Sequence, residues 1–180
     1  EEAYKGVVET VRELLARKYY EKLIKSFTHK QIYEYCSLLN SPGNPELTLI
    51  NGDYFSNIAL RYLTTAFDIK THYGNNKIRK IVELGVGFGG QAIMLNQFFN
   101  IDKYTFVDLK AANLLTEKFL SLTDVSFEKK FCSIDSVEED EYDLFISNFG
   151  YSELPKKYQK LAHKKFIKNS KYGYMIVNNY

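Results

Sequence analysis

The stretch "IVELGVGFGG", from Ile81 to Gly90, sets four glycines behind one acidic residue. It satisfies two nucleotide-binding patterns at once. Gly85, Gly87 and Gly90 spell G-x-G-x-x-G, the fingerprint of dinucleotide sites. Glu83, Gly85, Gly87 and Gly89 spell acidic-x-G-x-G-x-G. The residues before it, "KIVEL", are β-prone, and those after it, "GGQAIMLNQFF", have helical spacing. A strand that runs into a glycine-rich turn and a helix N-terminus gathers backbone N–H groups and the positive end of the helix dipole at one point. The stretch therefore predicts an anion-binding turn at the carboxyl end of a strand.

The order of elements downstream predicts the fold. "KIVEL", "KYTFVDL", "VSFEKKFCS", "YDLFISN" and "YGYMIVNN" are short β-prone runs, with the helical stretches "GGQAIMLNQFF", "AANLLTEKFLSL" and "PKKYQKLAHKKFIKN" among them. Strands separated by single helices pair in parallel through right-handed crossovers. Residues 77–180 are thus expected to form a Rossmann-like, doubly wound parallel sheet of the α/β class. Upstream, apolar residues recur at helical spacing from Tyr4 to Phe27. "THKQ" reads as a capping box that starts a second helix at Thr28. "NSPGNPELT" reads as a surface connection. Asp53 is expected to cap a third helix ending at Gly74, before the turn residues Asn75 and Asn76. Residues 1–76 are expected to form an N-terminal helical cap, a lid and acceptor wall over the sheet domain.

Composition narrows the classes. A chain of 180 residues that is 45% hydrophobic and 26% charged can bury a real core as one ordinary domain. A net charge of +2 is too small to argue for nucleic acid as the main partner, and the lysines read as solvated helix faces. No apolar run approaches the ~20 residues of a membrane span. Cys36 and Cys132 lack metal or redox spacing and read as reduced core thiols of a cytoplasmic protein. The chain opens on Glu1 and stops inside the apolar run "YGYMIVNNY", which reads as a fragment of a longer protein.

Glu83 decides between the two patterns of the glycine turn. A carboxylate at the end of the first strand repels a pyrophosphate held a few ångströms away and attracts an ammonium group. S-adenosylmethionine carries an ammonium, a carboxylate and a sulfonium, and so needs one anion beside several N–H donors. Glu83, Gly85, Gly87, Gly89 and Gly90 are read as its amino-acid end. Asp108, 108 − 85 = 23 residues beyond Gly85, is read as the ribose ligand, near the spacing of roughly 20 expected of such an acid. Leu109 is placed under the adenine, Ile134 beside it, and Asp135 at its amino group. In "DLFISNFGYSEL", Ser147 and Asn148 are placed at the reacting end of the cofactor, with Tyr151 and Ser152 toward the substrate.

"IVELGVGFGGQAIML", "YTFVDL" and "DLFISNFGYSELP", in this order, resemble class I S-adenosylmethionine-dependent methyltransferases, and within them are most similar to the sugar O-methyltransferases. The resemblance covers about Lys77 to Tyr180. It implies methyl transfer to a hydroxyl of a small acceptor, with a sugar as the acceptor class. It also implies a sheet of seven strands, the last two an antiparallel hairpin, whereas this chain ends at the fifth. Alignment of the acceptor oxygen and removal of its proton are the protein's tasks. Glu153 is the first candidate base and His72 the second; His163 reads as a surface residue and His29 as part of the capping box. No metal-ligand spacing stands out. Other acceptors (small-molecule, protein or nucleic acid) and a non-catalytic nucleotide-binding or interaction module remain as alternatives. An exposed sheet edge would offer a route to a homodimer.

Overall fold

A computed structural model describes residues 2–40, 43–74 and 76–178, with side chains from residue 11 onward. Ser41, Pro42 and Asn75, and with Asn75 part of the expected turn, lie outside the described residues. The chain forms two compact units, Glu1–Asp68 and Ile69–Tyr180.

The first unit holds helices α1 (Glu2–Leu23) and α2 (His29–Asn40), strands β1 (Leu47–Ile50) and β2 (Asp53–Ser56), and most of α3 (Asn57–Tyr73). The capping box forms as expected: the Thr28 N–H donates to Gln31 Oε1 at 2.8 Å, and the Gln31 N–H to Thr28 Oγ1 at 3.3 Å. The surface connection expected over residues 40–48 gives way to a strand at Leu47. β1 and β2 pair as an antiparallel hairpin with Ile50 opposite Asp53. Its turn is Asn51-Gly52, both at positive φ (51° and 94°), the dipeptide that favours a tight hairpin. Asp53 is therefore a strand residue and not the cap of α3; Ser56 Oγ accepts from the Ala59 N–H in that role.

Asp53 has another use. Its carboxylate meets His29 Nε2 at 2.8 Å, and His29 Nδ1 meets the hydroxyl of buried Tyr20 at 2.6 Å. Asn51 Nδ2 donates to the same hydroxyl. This chain of polar groups ties α1, α2 and the hairpin together beside the ring of Phe55. Cys36 is buried in the unit's core, and loss of hydration there pushes its thiol up to about 12.

The second unit is a five-stranded sheet in the order β5-β4-β3-β6-β7, parallel throughout. Its strands are β3 (Lys80–Leu84), β4 (Lys103–Val107), β5 (Glu128–Cys132), β6 (Tyr142–Asn148) and β7 (Ser170–Ile176). The helices are α4 (Gly90–Asn96), α5 (Lys110–Leu120), α6 (Gly150–Glu153) and α7 (Lys156–Ala162), the last continued by a π-helical turn over His163–Ile167. The near-continuous apolar runs of β3, β4 and β6 follow from burial on both faces. Val82, Leu84, Val107 and Phe145 pack with Ala162 and Phe166 on one face. Tyr104 and Phe106 stack at 4.5 Å on the other, and Phe106 stacks in turn on Phe131.

Successive crossovers move from β3 to β4 to β5 in one direction, and the chain then returns to place β6 on the opposite side of β3. The carboxyl end of β3 therefore sits at a topological switch point, where open α/β sheets leave a crevice. Asp143 fixes the opposite end. It accepts from the Arg79 and Lys80 N–H groups, both at 2.9 Å, and from Lys171 Nζ at 2.8 Å, which joins β3 and β7 to β6.

Candidate active site

The crevice is a cavity of about 540 Å³, within the range of small-molecule sites. Four strand ends supply its walls: Leu84, Gly85 and Gly87 after β3; Val107, Asp108 and Leu109 after β4; Ser133, Ile134 and Asp135 after β5; and Asn148, Phe149 and Gly150 after β6. Glu153, Leu154 and Tyr158 extend the last wall along α6 and into α7.

Each wall has a local cause. Gly85 stands at φ 81°, and a Cβ there would lie 2.9 Å from Gly150 Cα. Only glycine lets the turn after β3 and the turn after β6 approach this closely. Asp108 locks the first turn to the second strand: its carboxylate accepts from the Val86 N–H at 2.8 Å and the Leu109 N–H at 2.7 Å. A carboxylate has about four acceptor positions, so two remain to receive hydroxyl groups from a ligand. Leu109 is 77% exposed, an apolar side chain on the rim of the cavity. Paired Ser133 and Ser136 hydroxyls and N–H groups brace the turn that carries Ile134 and Asp135.

The β6 turn is the most constrained. Phe149 stands at φ 71°, a conformation that side-chain-bearing residues rarely adopt and that costs of order 1–3 kcal/mol. Its N–H donates to Ile176 O at 2.7 Å, and its carbonyl accepts from Ser152. Asn148 Nδ2 donates to Gln91 Oε1 at 3.0 Å, while its Oδ1 is buried without a partner. A buried acceptor left unpaired is costly, so a cavity-lining amide in this state suits a ligand donor. Glu153 Oε1 accepts from Asn178 Nδ2, and its exposed side chain borders the cavity.

Gly85, Gly87, Asp108, Leu109, Ile134, Asp135, Asn148 and Glu153 are thus brought to one cavity. The other expected site residues are placed elsewhere. Glu83 is 1% exposed and does not line the cavity; its carboxylate accepts from the Tyr104 hydroxyl at 2.7 Å. Strand alternation explains this, since residue 83 points to the sheet face that holds Tyr104 instead of continuing past the strand end. Gly89 serves helix packing: a Cβ there would lie 2.7 Å from Thr116 Cγ2. Gly90 is buried at the start of α4. Ser147 is fully buried, donates to Leu84 O and accepts from the Tyr151 N–H, and so ties β3 to α6. Ser152 bonds Phe149 O and the Asn178 N–H. Tyr151 packs against the core behind α6 and lines a separate depression, and His72 is exposed at the end of α3. Tyr158 and Leu154 carried no sequence signal, because their approach to the cavity depends on how α6 turns into α7.

No family model matches the chain, and no curated protein matches it. Solved structures do. A Thermoplasma acidophilum protein superposes with a TM-score of 0.51 at 17% identity, over 66% of this chain and 62% of that one. A candidate S-adenosyl-L-methionine-dependent methyltransferase from Methanococcus maripaludis gives 0.50 at 17%, over 58% and 50%. The mitomycin 7-O-methyltransferase MmcR gives 0.51 at 10%, over 68% and 39%. The fold is that of class I methyltransferases. This chain spans less than two thirds of each of these proteins, and at such identities the likeness concerns the fold alone. Within the class I methyltransferase fold, the cavity occupies the crevice at the switch point. Among the described residues no group of three or more His, Cys, Asp or Glu side chains is placed to hold a metal ion, and no helix is long and apolar enough to cross a membrane.

Proposed function

We propose that the chain is an S-adenosylmethionine-dependent O-methyltransferase that modifies a hydroxyl of a small acceptor, with a sugar as the acceptor class. The observation that carries this reading is the convergence of Asp108, the bare Gly85–Gly87 backbone and the unpaired Asn148 Oδ1 on one cavity. These residues fit the methyl donor. Asp108 offers acceptor positions to the ribose hydroxyls, and Leu109 and Ile134 offer apolar contact to the adenine. Asp135 accepts from the adenine amino group. Asn148 Oδ1 accepts from the donor's ammonium. Glu83 acts from behind the turn as a buried acidic group two residues before Gly85, unfavourable to a pyrophosphate. The names of the Methanococcus neighbour and of MmcR support methyl transfer, and the likeness of "SNFGYSEL" to the sugar enzymes supports the acceptor class.

When bound, S-adenosylmethionine supplies a methyl group on a sulfonium for a single in-line displacement. Glu153 takes the proton of the acceptor hydroxyl, and Phe149 and Tyr158 exclude water. General-base assistance is worth about 10²–10⁴ in rate. Methyl transfer to hexoses, followed by mass spectrometry of the acceptor, tests the proposal. Glu153→Gln should lower kcat by a factor in that range while leaving affinity for S-adenosylhomocysteine unchanged. Full activity of Glu153→Gln would remove the glutamate from its role, and no transfer to any hydroxylated acceptor would refute the reading.

A further inference from the structure

α4 opens with a residue that its surroundings do not favour. Every residue from Gly90 to Leu95 is buried, and all but one of them are apolar. The exception is Gln91, 0% exposed at the second position of the helix. A buried amide is unfavourable unless its polar atoms are paired, so packing alone does not account for a glutamine here. What Gln91 does is reach from α4 to the end of β6, where its Oε1 accepts from Asn148 Nδ2 at 3.0 Å. Asn148 lines the cavity, and its Oδ1 is buried without a partner.

The pair fixes which end of the Asn148 amide is left for a ligand. An amide carries an acceptor oxygen at one end and two N–H donors at the other, and a half-turn of the side chain exchanges them. Gln91 Oε1 only accepts, so it holds the nitrogen end of Asn148 and leaves the oxygen. The reverse orientation would offer N–H donors, which suit a carboxylate and repel an ammonium. Glu83 does not line the cavity, so an acceptor for a ligand's ammonium has to come from another residue, and Asn148 Oδ1 supplies one.

We propose that Gln91 is a positioning residue for the methyl donor: it holds the Asn148 amide with its oxygen turned to the ligand, and so makes the site select an ammonium-bearing nucleoside. The inference rests on the methyltransferase reading for the identity of the ligand, and on the Gln91–Asn148 pair for the group that is selected. Gln91 acts only through Asn148 and does not line the cavity. Hydrogen bonds to charged groups are the stronger ones, and a buried acceptor left unpaired is unfavourable, so a ligand without the ammonium loses on both counts.

Calorimetric titration of the full chain tests this with two probes: S-adenosylhomocysteine, and its deamino analogue, which keeps the carboxylate and lacks the ammonium. The parent should prefer S-adenosylhomocysteine by about tenfold or more. Gln91→Met has nearly the same shape without the amide, and should reduce that preference to less than about threefold, the loss falling on the ammonium-bearing probe. Gln91→Glu, whose carboxylate offers only acceptors to Asn148 Nδ2, should keep the preference. Asn148→Ala should abolish it, and Gln91→Met/Asn148→Ala should bind no more weakly than Asn148→Ala alone, because the two residues act as one unit. Equal weakening of both probes by Gln91→Met would show a merely structural role and overturn the inference. So would an unchanged preference in Gln91→Met or Asn148→Ala, or additive losses in the double variant. Should Gln91→Met not fold, Gln91→Leu takes its place, and a lost preference in Gln91→Glu overturns the inference without either. A parent that bound both probes equally would leave the methyltransferase reading intact and sink the role of Gln91. A parent that bound neither would sink both.

Discussion

Gly150 is the residue where one added methyl group should do most damage. A Cβ there would stand 2.7 Å from Leu84 O and 2.9 Å from Gly85 Cα, both backbone atoms. Ordinary contact begins at 3.4 Å, so the turns after β3 and β6 must part by 3.4 − 2.7 = 0.7 Å along that direction. No flexible side-chain tip can absorb the shift, and overpacking of this kind costs about 1–3 kcal/mol. With a urea dependence of about 2 kcal/mol/M, a cost near ~2 kcal/mol lowers the unfolding midpoint by about 1 M. Gly173 provides the control: a Cβ there meets nothing within 4 Å, so Gly173→Ala should stay within about 0.5 kcal/mol of the parent. Urea unfolding followed by circular dichroism compares the two. Because Gly150 also lines the cavity, Gly150→Ala should weaken S-adenosylhomocysteine binding and Gly173→Ala should not. Equal midpoints and equal affinities for the two variants would refute the claim that the turns meet at contact distance.

Two further predictions concern polar ties. His29→Ala severs the link between Asp53 and the Tyr20 hydroxyl, and should destabilise the chain by about 1–3 kcal/mol in the same urea assay. An unchanged midpoint would show that the link contributes nothing. Burial raises the Asp143 carboxyl, but the Lys171 ammonium and the Lys80 and Arg79 N–H groups outweigh it and leave the pKa below its ordinary value. A carboxylate lowered by folding stabilises above its unfolded pKa of about 3.9, and that stability is lost as pH falls through the lower folded value. Asp143→Asn should therefore be less stable than the parent at neutral pH and approach it as the pH falls below about 4. A gap that held constant across this range would contradict the assignment.

The sheet was legible in the sequence because β3, β4 and β6 are largely apolar runs with helical stretches after each of them, and the glycine turn because its backbone must be bare. What remained hidden depended on contacts between distant residues. Asn51-Gly52 is a hairpin signal that goes unread beside the prolines and glycine of residues 40–48, and Asp53, a good N-cap residue type ahead of a helical pattern, reads as a cap although it ends up in β2. Glu83 reads in the sequence as a ligand contact, but strand alternation turns its side chain to Tyr104 and away from the cavity wall. Gly89 and Ser147 matched the ligand pattern while serving to pack α4 on α5 and to tie β3 to α6. Tyr158 has no local mark of a site residue, since only the turn from α6 into α7 brings it to the cavity.

The central claim is that the crevice holds a methyl donor through Asp108. Calorimetric titration of S-adenosylhomocysteine into the parent and Asp108→Ala chains tests it most directly, with NADH titrated in parallel. The parent should bind the nucleoside, Asp108→Ala should bind it at least about tenfold more weakly, and NADH should not compete. Equal binding by both chains, or displacement of the nucleoside by NADH, would contradict it.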